Sequence, residues 1–240
     1  MKVTKSMKTC VKGILGFFAL IGLVGQASAI IINDTYVGSD DHGYGDRIGG
    51  SRYEIYNMDV NFSDGYMNVR VNTNFNAASD PYGIDFGDLF ISIDGWNPNG
   101  SAPYLNDNIF TGEKWEFVFD TSENMLYGGN FNIFTSDHFL DPSQYIFRND
   151  QEVQRASDGT AYSGSSVNLA NVGSGGYVEY KILLDSLGIS GDVSLGLKWG
   201  MTCANDTIEG VVNTTVPEPA SLLLIAIGLL GLGMTKRRYS

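Results

Sequence analysis

Met67-Asn68-Val69-Arg70-Val71-Asn72-Thr73-Asn74-Phe75 places an apolar or small side chain at every odd position and a polar one at every even position. Successive side chains of an extended chain point to opposite faces, so this period of two predicts a strand with one buried and one wet face. The alternation returns in Leu89, Ile91 and Ile93, and in Trp115, Phe117 and Phe119. It returns again in Val178, Tyr180, Ile182 and Leu184, and in Leu195, Leu197, Trp199 and Met201. Clusters such as Ser63-Asp64-Gly65, Asn97-Pro98-Asn99-Gly100 and Tyr127-Gly128-Gly129-Asn130 separate these runs, as turns separate short strands. No amphipathic helix of three turns is legible between residues 30 and 216, and only Asp185-Ser186-Leu187-Gly188 suggests a single helical turn. The expectation is an all-β domain, a two-sheet antiparallel β-sandwich of jelly-roll type, with Trp115 and Trp199 in its core.

Both ends of the chain depart from this pattern. Lys2, Lys5, Lys8 and Lys12 form a basic region, residues 13–25 an apolar stretch, and Ala27-Ser28-Ala29 a small-residue cleavage site. That is the layout of a secretory signal peptide over residues 1–29, cut after Ala29. At the other end, Val216-Pro217-Glu218-Pro219 is followed by an apolar run and then by Lys236-Arg237-Arg238. As a helix the sixteen residues 220–235 reach ~24 Å, short of the ~30 Å hydrocarbon core, and the cations stay on the cytoplasmic side. The domain boundaries expected are 30–212 for the ectodomain, 213–216 for a polar spacer and 217–240 for the hydrophobic tail.

The order of Val216, Pro217, Glu218 and Pro219, the Leu-rich stretch and the basic Lys236-Arg237-Arg238 resembles the PEP-CTERM sorting signal, read by membrane proteases called exosortases in Gram-negative bacteria. The resemblance implies export by the general secretion machinery and a transient inner-membrane tether through a C-terminal hydrophobic helix. It further implies cleavage near the motif and a mature form at the cell surface or outside the cell. The alternative is an ordinary C-terminal anchor that is never cut. A second resemblance spans most of the remaining chain. Gly45-Asp46-Arg47-Ile48-Gly49, Gly87-Asp88-Leu89-Phe90-Ile91-Ser92 and Lys198-Trp199-Gly200-Met201-Thr202-Cys203 fall in an order similar to DOMON-like and family 9 carbohydrate-binding modules, which implies a jelly-roll sandwich and sugar contact.

Removing both ends sharpens the charge. The full chain carries 15 Lys and Arg against 27 Asp and Glu. Four lysines leave with the leader, three cations and Glu218 with the tail, so eight cations face 26 acids, about −18. Such a surface repels nucleic acid and anionic lipid, so neither is expected as a partner of the domain, whereas divalent cations suit it. Cys10 departs with the leader, and Cys203, left alone, is expected to act as a small buried hydrophobe.

No nucleophile elbow, zinc-protease helix, phosphate loop or dinucleotide fingerprint is present, and no catalysis is expected. Asp40, Asp41 and Asp46 lie in a Gly-rich stretch able to offer carboxylate and carbonyl oxygens to Ca²⁺, with a solvated acidic loop as the alternative. Trp96, in the loop Asp94-Gly95-Trp96-Asn97-Pro98-Asn99-Gly100, is placed to stack on a sugar ring while Asp94, Asn97 and Asn99 bond its hydroxyls. The alternative is a Trp that folds back to cap the sandwich end. The function expected is a non-catalytic surface or biofilm-matrix component making Ca²⁺-assisted contact with polysaccharide. A purely structural matrix protein or, further off, a glycan hydrolase are the other readings.

Overall fold

The computed structural model describes residues 29–39, 43, 45–135, 148, 150–170, 176–189 and 191–215. The leader, the sorting tail, Asp40, Asp41, His42 and His138 lie outside the described residues. In chain order the strands are β1 (Ile30–Asn33), β2 (Ile55–Ser63), β3 (Tyr66–Thr73), β4 (Leu89–Ser92), β5 (Phe117–Asp120) and β6 (Met125–Thr135). They continue as β7 (Glu152–Tyr162), β8 (Ser166–Ala170), β9 (Gly176–Leu183), β10 (Asp192–Gly200) and β11 (Thr207–Thr215). Among the described residues one short α-helix, α1 (Leu184–Leu187), falls at the helical turn expected from sequence.

These strands form two antiparallel sheets, ordered β1-β2-β3-β9-β8 and β11-β10-β4-β5-β6-β7. The two-sheet antiparallel sandwich expected from the alternation is the fold observed. Strand β3 buries Met67, Val69, Val71 and Thr73 and leaves its Asn and Arg positions half-exposed, as its sequence dictates. Its hairpin with β2 turns on Asp64 (φ 52°) and Gly65 (φ 81°), both left-handed. That Asp-Gly pair is what a two-residue hairpin needs to match the twist of its strands. Met67 is wholly buried, and Met67→Ala is expected to cost about 2–5 kcal/mol. Across the core, Trp199 of β10 donates its indole N–H to the Tyr180 hydroxyl of β9 at 2.7 Å, tying one sheet to the other.

The two sheets differ on their outer faces. The five-stranded sheet exposes a polar lattice in which Asn72 donates to Asn57 and Asp59, and Arg70 pairs with Glu179. The six-stranded sheet is covered, so β4 and β5 are buried on both faces. Segments flanking residues 37–39 and 103–107 lie together over it, joined by Val37 N–H to Pro103 O and Ser39 N–H to Asp107 O. This corrects one expectation. Trp115 is buried but does not share a face with Phe117 and Phe119; it packs with Phe90 and Val118 in a second, outer cluster. Strand β5 begins at Phe117, and before it the chain no longer keeps the strand's alternation.

Candidate metal centre

Three segments distant in sequence converge at one end of the sandwich. Asp34 follows the last residue of β1, Asp46 lies in the loop before β2, and Asp206 closes the turn into β11. One carboxylate oxygen from each lies within 4.8 Å of the others. Asp206 Oδ2 accepts the backbone N–H of Ile55 at 2.7 Å, so this corner also fixes the start of β2. One oxygen of each carboxylate is an orphan: Asp34 Oδ1, Asp46 Oδ1 and Asp206 Oδ1 are all buried with no donor among the described residues. In the same turn, both side-chain polar atoms of Asn205 and the Thr207 hydroxyl are also buried and unsatisfied.

A buried polar atom without a partner costs about 1–3 kcal/mol, and more when charged, so five unsatisfied oxygens in one corner call for a partner. Arg148 is the one basic side chain among the described residues that the corner encloses, and it is fully buried. Among the described residues its guanidinium donates to the carbonyls of Val37, Gly45 and Asp46 and to no carboxylate, and its Nε–H has no partner. Burial, then the charge of Asp46, pushes the Asp34 carboxyl up to about 8, with Arg148 pulling against them. Burial and the Asp34 charge raise Asp206 well above the usual carboxylate range, and burial raises Asp46. Burial is the largest cause of all three shifts, and for Asp34 and Asp206 a neighbouring carboxylate adds to it. The donor set is oxygen only, carboxylate with amide and hydroxyl at hand, which is what a hard cation such as Ca²⁺ takes and a thiolate-seeking metal does not.

Of the residues singled out as metal ligands, Asp46 is in this cluster, while Asp40 and Asp41 lie outside the described residues. Its partners are Asp34, 12 positions upstream, and Asp206, 160 positions downstream; only the fold brings them together. No local spacing signals such a set.

A second buried charged cluster sits under the covered face of the six-stranded sheet. Lys198 Nζ donates to Gln151 Oε1 at 2.8 Å, Glu152 Oε2 at 2.7 Å and Glu209 Oε1 at 2.7 Å, using all three of its donors. The free oxygens of those carboxylates are also engaged, Glu209 Oε2 by the Trp96 indole at 3.0 Å and Glu152 Oε1 by the Trp115 indole at 3.3 Å. Burial alone would lower the Lys198 pKa, but the two carboxylates overcome it and hold the ammonium charged.

Trp96 is thus half-buried, its N–H spent on Glu209 and its ring packed edge-on against Tyr104 at 5.2 Å. The loop's other candidates are tied internally. Asp94 accepts from Ser92, Asn97 donates to Glu113 and Asn99 donates to Asp107 and Asn106. The arrangement is a Trp folded back onto the sandwich, with its loop held by three carboxylates.

A polar cleft of about 420 Å³ opens beside the three-carboxylate corner, lined by Ser51, Arg52, Asn74, Phe75, Asn76, Ser79 and Asp80. The two are linked through the backbone: Asn74 N–H bonds Glu54 O, and the next residue, Ile55, bonds Asp206.

Residues 215–238 match the family model described as the PEP-CTERM protein-sorting motif. The chain carries a PEP-CTERM sorting signal. It is made as a membrane-anchored precursor, processed by an exosortase and exported to the cell surface. Val216, Pro217, Glu218, Pro219, Lys236, Arg237 and Arg238 all fall within the PEP-CTERM match. No curated protein and no solved structure matches the chain. Among the described residues, no helix is long and apolar enough to cross a membrane.

Proposed function

We propose that the mature domain is a non-catalytic component of the cell surface or extracellular matrix, locked into shape by a Ca²⁺ ion held by Asp34, Asp46 and Asp206. The observation that carries this reading is the set of three orphaned, buried carboxylate oxygens, one per residue, converging in one corner. Asn205 and Thr207 stand beside them with neutral oxygens that have no partner among the described residues. A bound divalent cation would cancel the surplus charge and replace the missing donors. Titrating the metal-free domain with Ca²⁺ in a calorimeter tests this: one ion per chain is expected, and Asp206→Asn should abolish it. No heat and no change in melting temperature with Ca²⁺ would remove the ion from the account.

Polysaccharide contact finds its best support in the cleft rather than at Trp96. Arg52, Asn74, Asn76, Ser51 and Ser79 offer donors and acceptors to a hydroxyl-rich ligand, and the cleft adjoins the corner that Ca²⁺ would order. Binding of the producing organism's own extracellular polysaccharide should then be lost in Arg52→Ala and in EDTA, and kept in Trp96→Ala. The non-catalytic reading is supported by Glu152 and Glu209, close carboxylates that are locked on Lys198 and buried rather than facing one another across a cleft. Growth of fibres through a strand edge finds less support. Strand β7, one of the four edge strands, has its pairing with β6 broken by register shifts, and Asp158 lies in the left-handed region. Such irregularities blunt an edge.

A further inference from the structure

The polar groups that line the cleft are unevenly engaged. Its carboxylate, Asp80, is full: Oδ1 accepts the backbone N–H groups of Tyr82 at 2.9 Å and Ile84 at 3.3 Å, and Oδ2 accepts the Tyr53 hydroxyl at 3.1 Å. The Asp80 side chain is accordingly only 1 % exposed, while that of Arg52 beside it is 53 % exposed. Arg52 Nη1 comes no nearer to Asp80 Oδ2 than 3.9 Å, beyond hydrogen-bond reach. Arg52 thus brings to the cleft a planar fork of N–H donors that no acceptor among the described residues fills. Asn76 adds to it: Ala78 N–H occupies its Oδ1 at 3.1 Å, which leaves the NH₂ half of the amide open to a ligand.

The other described arginines are committed elsewhere. Arg70 and Arg155 lie 2.9 Å from Glu179 and Asp120, Arg47 pairs with Glu54, and Arg148 donates to backbone carbonyls. A donor-rich cleft whose own carboxylate is already satisfied suits a ligand that brings acceptors, and a guanidinium fork matches a planar carboxylate with two parallel bonds. The surplus of acids on the domain opposes an anion at long range, but salt screens most of that beyond ~8 Å at physiological ionic strength, so the contacts inside the cleft decide. The rest of the lining suits a sugar ring. Phe75 gives the wall an apolar element, and Tyr82, held at its backbone by Asp80 just outside the lining, keeps its ring half exposed.

We infer that the cleft takes an acidic sugar, a uronic-acid residue of a polysaccharide, and that Arg52 selects it by holding the sugar carboxylate in its fork. The NH₂ group of Asn76 donates to the same residue, and Asn74 Oδ1 and the Ser51 hydroxyl are left for the ring hydroxyls, since Asn74 uses its own NH₂ on Ser51 O. The inference rests on the reading of this cleft as a polysaccharide site and adds the class of sugar and the residue that discriminates.

The test uses the mature protein from the surface fraction of its host and three forms of that host's extracellular polysaccharide: native, carboxyl-reduced and desulfated. Ca²⁺ is held fixed in every titration. Carboxyl reduction is expected to weaken binding by roughly 10–100-fold, the size of a charge-assisted pair, and desulfation to leave it unchanged. Arg52→Gln should bind the native and carboxyl-reduced forms equally, and Arg52→Lys should recover only part of the difference, because it restores the charge without the fork. Asn76→Asp keeps the acceptor for Ala78 N–H and sets a negative charge against the carboxylate, so it should weaken the native form and spare the reduced one. Both Arg52 variants alter an exposed side chain, and an unchanged melting temperature checks their fold. Equal binding of native and carboxyl-reduced polysaccharide by the unaltered protein, or a loss on desulfation alone, would overturn the uronic-acid inference while the cleft stands as a sugar site. Native polysaccharide that binds Arg52→Ala as well as the unaltered protein, or binds neither, would overturn the cleft reading and this inference with it.

Discussion

Two buried charged clusters lie within one sandwich, and they are built on opposite principles. Around Lys198 every donor has an acceptor: one ammonium, two carboxylates and an amide, with two indoles on the remaining oxygens. At the corner, three carboxylates meet a guanidinium that donates to backbone carbonyls and leaves its Nε–H without a partner among the described residues, and each carboxylate keeps an orphaned oxygen. The first cluster is complete as the chain provides it. The second lacks such partners among the described residues, and it is there that the proposed Ca²⁺ would sit. Burial alone therefore does not separate a structural cluster from a ligand site; the count of unsatisfied atoms does.

The sharpest way to break the contrast is to remove a partner from the complete cluster. Lys198→Met strands two buried carboxylates and is expected to cost about 3–5 kcal/mol, read as a drop in urea midpoint. The variant should still respond to Ca²⁺. Loss of that response would mean the two clusters are one unit.

Next in size is a pH effect belonging to neither cluster. Asp88 is buried, accepts the backbone N–H groups of Thr121 and Arg155, and is pushed up to about 7 by burial. Its folded pKa lies above its unfolded value of 3.8, so the stability it contributes is fully present below pH 4 and is lost as pH rises through 7. The loss reaches up to about 4 kcal/mol at 1.36 kcal/mol per pKa unit. Urea midpoints between pH 4 and 8 in saturating Ca²⁺ should fall with pH, and Asp88→Asn should flatten the slope.

The corner itself comes third. Ca²⁺ at a hundred times its Kd should stabilise the domain by about 2.7 kcal/mol, or roughly 5–10 °C in melting temperature for a domain of this length. Asp206→Asn should erase that shift. The smallest effect is expected from Trp96→Phe, which keeps the ring against Tyr104 and loses only the bond to Glu209. A loss of about 2 kcal/mol, without change in Ca²⁺ response, would place Trp96 with the Lys198 cluster as a structural side chain.

What could be read from the chain follows from how local each signal is. The alternation of β3, β9 and β10 was legible because each places one face in the core and the other against polar surroundings or small glycines. The placing of Trp115 failed because the six-stranded sheet is buried on both faces, where an apolar residue carries no information about its side. Strands β6, β7 and β11 are rich in Gly, Asn, Ser and Thr and give no clean period. The sorting tail was fully legible, since its meaning lies in consecutive residues. The corner was legible only in Asp46: its other members become neighbours through the pairing of β1 with β2 and of β10 with β11, which no local pattern announces.

That long reach gives the corner a place in time. A chain emerging from a translocation channel with its N-terminus leading delivers Asp34 early and Asp206 almost last. Until then the first strand can pair with β2, but the corner that joins it to the final strand stays open. When Asp206 arrives, only the nine residues of β11 remain before the sorting motif reaches the membrane. Closure of the domain and arrival of its release signal thus fall together, so a truncated or stalled chain would present neither a finished fold nor a motif to be cut.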